Sequence, residues 1–188
     1  MEIITVQARD THAKAKQLRA AGFVPCVIYG GALQASLPIQ MSKGAAIKLL
    51  RQSRQGTKVQ LELSGNAHLV QIKDKERDAI SNEIVHIGFQ ALAQDQKVNS
   101  VAHILLQNAD KVPCTLEKKL LEVPFASLPQ DMIDTVTLDL AGLPIGTVLT
   151  LADIPEFVSG KIELQVPSDS MVLKIRDKKR TGAPRAEE

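Results

Sequence analysis

Aromatic residues and cysteine are scarce in this 188-residue chain, which has no tryptophan, one tyrosine, four phenylalanines and two cysteines. A core must therefore be built from aliphatic residues, and a surface that stacks many bases on aromatic rings is excluded. Cys26 and Cys114 lie 88 positions apart, and they fit neither a disulfide framework nor a paired-ligand metal site. We therefore expect a reducing cytoplasm as the compartment.

Long apolar runs and the common catalytic motifs are also missing. No apolar run reaches the roughly 18 residues that span a bilayer, and the first 30 residues lack a secretory pattern. The phosphate-binding, dinucleotide-binding, zinc-protease and calcium-loop motifs are absent, and the four histidines are scattered without ligand spacing. The sequence predicts no membrane association, no cofactor, no metal, no small-molecule substrate and no enzymatic activity.

Charge is unevenly distributed, although the net charge is only +2. Residues 1–91 carry 12 basic and 7 acidic side chains, residues 92–173 carry 5 and 11, and residues 174–188 carry 6 and 3. Phosphate affinity depends on local rather than average charge, so the basic first part predicts a polyanionic partner. Charge alone leaves open the alternative that this excess only aids solubility.

Proline usage supports the same division, because only Pro25 and Pro38 precede residue 112 and seven prolines follow it. Frequent prolines between short apolar runs favour strands joined by turns. The candidate strands of the second part are Val98–Leu106, Cys114–Val123, Val136–Leu140, Val148–Leu151, Lys161–Val166 and Met171–Ile175. We predict a basic domain over residues 1–91, an acidic β-rich domain over residues 92–175 and a disordered basic tail over residues 176–188.

Residues 1–91 contain both strand and helix periodicities. Alternating or short continuous apolar runs predict strands at Ile4–Arg9, Cys26–Tyr29, Lys58–Leu63, Leu69–Ile72 and Ile84–Phe89. Two helices are predicted, Ala13–Ala21 with Gly22 as its C-terminal cap and Lys43–Ser53 capped by Ser42. Short strands with two helices favour a small closed or partly closed barrel, because closure removes exposed strand edges. The predicted fold class is mainly β with a minor α content.

A longer motif extends from Gln17 to Gly31 and reads QLRAAGFVPCVIYGG. It resembles the R-x-L-R-x-x-G-x-[VI]-P-[AG]-V-[IV]-Y-G pattern of the ribosomal protein L-twenty-five family of the bacterial large subunit. The likeness continues through Leu37–Ile39, Leu69–Asp78 and Ile84–Phe89. Beyond residue 91, segments such as Leu151–Pro155 resemble the C-terminal β domain of the long general stress protein CTC type. The chain is thus similar to a divergent, two-domain member of that family.

The resemblance implies a six-stranded N-terminal β-barrel with short helices, docked on the minor groove of 5S rRNA in the 50S subunit. Neighbouring 50S ribosomal proteins would be further partners, and the ribosome in the cytoplasm would be the location. A basic, aromatic-poor barrel suits double-helical RNA, which exposes 2′-hydroxyls and phosphates across a wide minor groove. The RNA-binding candidates are Arg9, Lys14, Lys16, Arg19, Tyr29, Lys73, Arg77 and His86.

These candidates have distinct expected roles. The cations around the first helix, Arg9, Lys14, Lys16 and Arg19, would form an electrostatic clamp on phosphates. The Tyr29 hydroxyl would reach a sugar or phosphate oxygen. His86 would face the RNA together with Gly88, because Val85, Ile87 and Phe89 alternate with them and would point into the barrel.

Three departures from the family pattern keep other hypotheses open. The approach to the first helix is shortened at residues 11–16, Glu76 replaces a glutamine, and Gly88 replaces an aspartate. The Glu76 carboxylate would repel phosphates unless a neighbour such as Lys73, Lys75 or Arg77 neutralises it. A second hypothesis is therefore a divergent paralogue acting as a stress-related protein-interaction module or a conditional ribosome factor. A third is a hydrolase that uses Cys26 and His86, which requires an accessible thiol.

Overall fold

A computed structural model of the chain describes residues 3–31, 33–109 and 115–176. The first six strands, in chain order, are β1 (Ile3–Ala8), β2 (Phe23–Tyr29), β3 (Leu37–Ser42), β4 (Lys58–Leu63), β5 (Asn66–Arg77) and β6 (Ile84–Ala91). They form a closed barrel in the order β1-β3-β2-β6-β5-β4, which closes through parallel pairing of β1 with β4. The predicted six-stranded barrel and the mainly β fold class are confirmed.

Alternating apolar residues along much of each strand fill the barrel with mainly aliphatic side chains. Ile4 and Val6 of β1, Cys26 and Ile28 of β2, and Phe89 of β6 are buried in one continuous core. The residues between them point away from that core, as the two-residue period of a strand requires. The outer face of the barrel is therefore where polar residues can meet a partner.

Strand β3 was not predicted by hydrophobic pattern, and only the family resemblance implied a sixth strand. Pro38 lies inside it, and a proline inside an apolar run argues against a strand because it cannot donate to the ladder. The strand forms because Ile39 and Met41 are fully buried and the Pro38 carbonyl accepts a hydrogen bond from the Arg9 amide at 3.1 Å.

The two helices of the first part are α1 (Ala15–Ala20) and α2 (Lys43–Gln52). Ser42 caps α2 as predicted, since its hydroxyl accepts a hydrogen bond from the Ala45 amide at 3.2 Å. Gly22 follows α1 in the left-handed region at φ +84°, as expected for a residue that ends a helix. Helix α1 begins two residues later than predicted because Lys14 keeps an extended backbone.

The remaining elements are β7 (Val98–Gln107), β8 (Thr115–Lys118), β9 (Glu122–Ser127), β10 (Thr135–Asp139), β11 (Val148–Thr150), α3 (Pro155–Val158), β12 (Ile162–Leu164) and β13 (Met171–Arg176). They form a four-stranded sheet in the order β10-β7-β9-β12 and a three-stranded sheet in the order β11-β13-β8. The prediction of one strand over Cys114–Val123 is wrong. Cys114 lies outside the described residues, β8 ends at Lys118, and β9 begins at Glu122 and continues through Pro124 beyond the predicted end at Val123.

The chain divides into two compact units. The first extends to Val101 and includes Ala126–Asp134, and the second consists of Ala102–Phe125 and the residues from Thr135 onward. Arg176 is the last residue of β13, and the rest of the predicted tail, residues 177–188, lies outside the described part of the chain. Within that described part, no helix is long and apolar enough to cross a membrane.

Candidate nucleic-acid interface

Arg9 and the loop that follows it prepare the start of helix α1. Arg9 comes directly after β1, is half-buried, and donates from Nη2 to the Ala13 carbonyl at 3.4 Å. Its Nε is buried without a hydrogen-bond partner among the described residues. The loop is closed further by the Asp10 carboxylate, which accepts a hydrogen bond from the His12 amide at 2.9 Å. Arg9 therefore braces the loop as well as contributing charge to the surface.

Two exposed lysines lie at the start of helix α1, Lys14 directly before it and Lys16 in its first turn, and they are called the α1 lysines below. The helix packs against β2, while Lys14 and Lys16 are exposed. Neither lysine forms a hydrogen bond or ion pair with any residue in the described ranges, so both ammonium groups are available to an external anion. An exposed lysine acts as a compact point charge and can bind a phosphate without a fixed geometry.

Arg19, in the last turn of the same helix, is half-buried and lies close to the loop between β5 and β6. The pKa of Asp78 in that loop is lowered chiefly by hydrogen bonds from the Ser81 and Ile80 amides, and to a smaller extent by the charge of Arg19. One acidic side chain therefore offsets part of the Arg19 charge, which distinguishes it from Lys14 and Lys16.

Lys73 and Arg77, both on β5, are engaged by oxygen atoms of their own unit. The Lys73 ammonium donates to the Asn99 carbonyl at 3.0 Å. Arg77 donates to the backbone and side-chain oxygens of Asn82, each at 3.4 Å. These bonds leave the positive charges in place but fix the side chains, so they contribute less freely to an RNA interface than the α1 lysines.

Tyr29 and His86 lie on the outer face of adjacent strands. The parallel pairing of β2 with β6 places Tyr29 beside Gln90 and Val27 beside Gly88. Both side chains are half-buried at the barrel surface. Ile87 and Phe89 lie in the barrel core, which agrees with the prediction that His86 and Gly88 share the other face of β6. The contact of Tyr29 and His86 with RNA remains a prediction.

The prediction for Val85 is wrong, because Ile84 and not Val85 is buried in the barrel core. The pairing of β5 with β6 aligns Glu76 with His86 and Arg77 with Ile84, so Val85 is skipped by a bulge. A bulge breaks the two-residue alternation from which inward and outward residues were assigned.

Asp74 is the functional candidate that sequence reasoning missed. It follows another bulge in β5, lies opposite Gly88 in the register, and its Oδ2 accepts a hydrogen bond from the Tyr29 hydroxyl at 3.2 Å. Burial, followed by the charge and hydrogen bond of Asp74, raises the pKa of Tyr29. The only available signal was that a half-buried tyrosine hydroxyl usually finds a partner.

Cys26 does not have the properties of a nucleophile. Its side chain is in the barrel core with 1% of its surface exposed. Burial raises the pKa of its thiol to about 12, although the Ile87 amide acts in the opposite direction. His86 lies on the outer face of β6, on the opposite side of the sheet from the Cys26 thiol, which is buried in the core. The geometry therefore does not support the Cys/His hydrolase hypothesis.

The comparisons with known proteins agree with these observations. The model of the Ribosomal L25p family matches residues 4–89, which contain all of the barrel strands except Ile3, Gln90 and Ala91. The chain is 28% identical to the general stress protein Ctc of Bacillus subtilis, covering 93% of this chain and 87% of that protein. It is 24% identical to the large ribosomal subunit protein bL25 of Caldanaerobacter subterraneus, covering 100% of this chain and 96% of that protein. It is 27% identical to the protein of the same name from Nitrosomonas europaea, covering 80% of each chain.

Proposed function

Through residues 4–89 the chain belongs to the Ribosomal L25p family, and from this premise we propose that it is a protein of the bacterial large ribosomal subunit. Two of the similar proteins are named as large-subunit proteins, and their similarity covers 100% and 80% of this chain. The segment of residues 92–173, with 5 basic and 11 acidic side chains, would contact neighbouring ribosomal proteins, which are the expected partners of a surface without excess positive charge.

Within that role we propose that the barrel binds 5S rRNA through the outer face of β2, β5 and β6 together with helix α1. The observation that carries this proposal is a pair of exposed lysines, Lys14 directly before helix α1 and Lys16 in its first turn, neither of which has a partner within the described ranges. They would neutralise phosphates, while Tyr29 and His86 would reach ribose and base edges across the minor groove. No aromatic stacking surface is required.

A gel-shift titration of the full chain with a bacterial 5S rRNA fragment tests the proposal. Each phosphate contact removed should reduce the slope of log affinity against log salt concentration by about 1. Lys16→Ala should therefore weaken binding and flatten that slope. Lys161→Ala removes the same charge from an exposed position outside residues 4–89, and should change neither. Equal behaviour of the two variants, or binding that ignores salt, would contradict the proposal.

A second candidate function is favoured by the similarity to the general stress protein Ctc and by Glu76, whose carboxylate shares the outer face with His86. Here the chain would join ribosomes only under stress. Sedimentation of lysates from rich and stressed cultures separates the two candidates. A constitutive large-subunit protein is near-stoichiometric with 50S particles in both conditions, whereas a conditional factor is enriched only after stress.

A further inference from the structure

The Tyr29 hydroxyl and the Asp74 carboxylate form a pair on the outer face of the barrel. Tyr29 ends β2, Asp74 lies on β5, and strand β6 runs between them. Gly88 of β6 lies opposite Asp74 in the register and next to the Tyr29 ring. The hydroxyl donates to Asp74 Oδ2 at 3.2 Å. The contact joins residues 45 positions apart in the sequence, and the pairing of β2 and β5 with the two sides of β6 brings them together.

The direction of this hydrogen bond determines what the pair can offer to a partner. A tyrosine hydroxyl has one proton and two acceptor lone pairs, and an ionised carboxylate has only acceptors. Because the Tyr29 proton is directed at Asp74, both groups are left with acceptor sites alone. The raised pKa of Tyr29 keeps that proton in place at neutral pH.

Gly88 leaves the pair open. A Cβ atom built on Gly88 would lie 3.5 Å from Asp74 Oδ2 and 3.6 Å from Tyr29 Cε1. Any side chain longer than a methyl group would therefore press on the pair or cover it. With glycine at this position the backbone of β6 forms a floor beneath the two acceptors, and a ligand can approach them closely.

We propose that the Tyr29–Asp74 pair is an acceptor-only subsite that receives a hydrogen-bond donor from the minor-groove side of an RNA helix. This inference rests on the proposed function. Two donors are present there, the N2 amino group of guanine and the ribose 2′-hydroxyl. A carboxylate placed among phosphates is repelled unless it receives such donors, so the subsite adds selectivity that the lysines of α1 do not supply.

The test is a titration of the full chain against a 5S rRNA helix fragment in two substituted series. In one series each guanosine is replaced in turn by inosine, which lacks the N2 amino group, and in the other each ribose is replaced by 2′-deoxyribose. Hydrogen bonds to charged groups have net values that correspond to a loss of about tenfold or more. We expect one position to show such a loss with the parent protein. Loss in the inosine series identifies guanine N2 as the donor, and loss in the deoxy series identifies the 2′-hydroxyl.

Two conservative variants decide whether the pair is responsible. Tyr29→Phe removes one acceptor and retains the ring, and Asp74→Asn retains the shape but replaces one acceptor oxygen with a donor. Both should bind the unmodified fragment more weakly and lose the sensitivity at that one position. Lys16→Ala, as a control, should weaken all fragments by the same factor and keep the sensitivity.

The outcomes separate the subsite from the proposed function. If the parent binds the fragment but no substitution matters, or if both variants respond to every substitution as the parent does, the subsite is overturned and RNA binding stands. If the parent fails to bind unmodified 5S rRNA, the proposed function and the subsite are both overturned. Unfolding curves of the variants that match the parent exclude a loss of fold as the cause.

Discussion

Replacing Gly31 by alanine should destabilise the barrel more than the same change at Gly22. Both glycines have positive φ, +61° at Gly31 and +84° at Gly22, and an L-residue in this region costs about 1–2 kcal/mol. A Cβ on Gly31 would lie 2.8 Å from the Ala91 carbonyl oxygen, whereas a Cβ on Gly22 would meet nothing within 4 Å. The clash adds about 1–3 kcal/mol, the usual cost of forcing extra atoms into a packed site.

We therefore expect a loss of about 2–5 kcal/mol for Gly31→Ala and about 1–2 kcal/mol for Gly22→Ala. The assay is urea unfolding followed by the fluorescence of Tyr29, the only tyrosine of the chain, which reports on the barrel. The dependence of free energy on urea must stay the same in both variants, so that the midpoints compare stability alone. Equal losses at the two positions would refute the conclusion that Gly31 is required by the close approach of the β6 backbone.

Three further predictions concern stability and reactivity. In a Cys114→Ser background, a thiol reagent should label Cys26 only when the protein unfolds. Burial raises the pKa of Cys26 from 9.0 to about 12, so the thiol ionises more readily in the unfolded chain. The free energy of unfolding, relative to Cys26→Ala, should therefore decline as pH rises above 9.0. Asp78→Ala should lower the free energy of unfolding at pH 7, because hydrogen bonds to the ionised Asp78 carboxylate lower its pKa in the folded protein. Urea unfolding at decreasing pH should show the difference from the parent protein shrinking below 3.8, as the carboxylate becomes protonated in the folded state. Ser42→Ala should cost about 1 kcal/mol in urea unfolding by removing the cap of α2, and Ser42→Asp should retain most of the stability; equal losses would contradict the capping role.

The candidate site was predictable to different degrees. Lys16 could be placed on a helix because the segment before Gly22 has helical spacing and a terminating glycine, whereas Lys14, predicted on the same helix, lies directly before it. Lys73 and Arg77 could be placed on a strand, but their hydrogen bonds to Asn99 of β7 and to Asn82 in the loop after β5 join positions that no local pattern brings together.

The amino-acid sequence by itself determined the mainly β architecture, the capped helix α2 and the basic character of the first 91 residues. Alternation, capping residues and charge are local properties, so they can be read without coordinates. Two features required the tertiary structure: Ile84 rather than Val85 is buried in the core, and the Tyr29 hydroxyl donates a hydrogen bond to Asp74. Bulges shift the strand register by single residues, and the strand order places β2 and β5 on either side of β6; both features depend on how the whole sheet pairs.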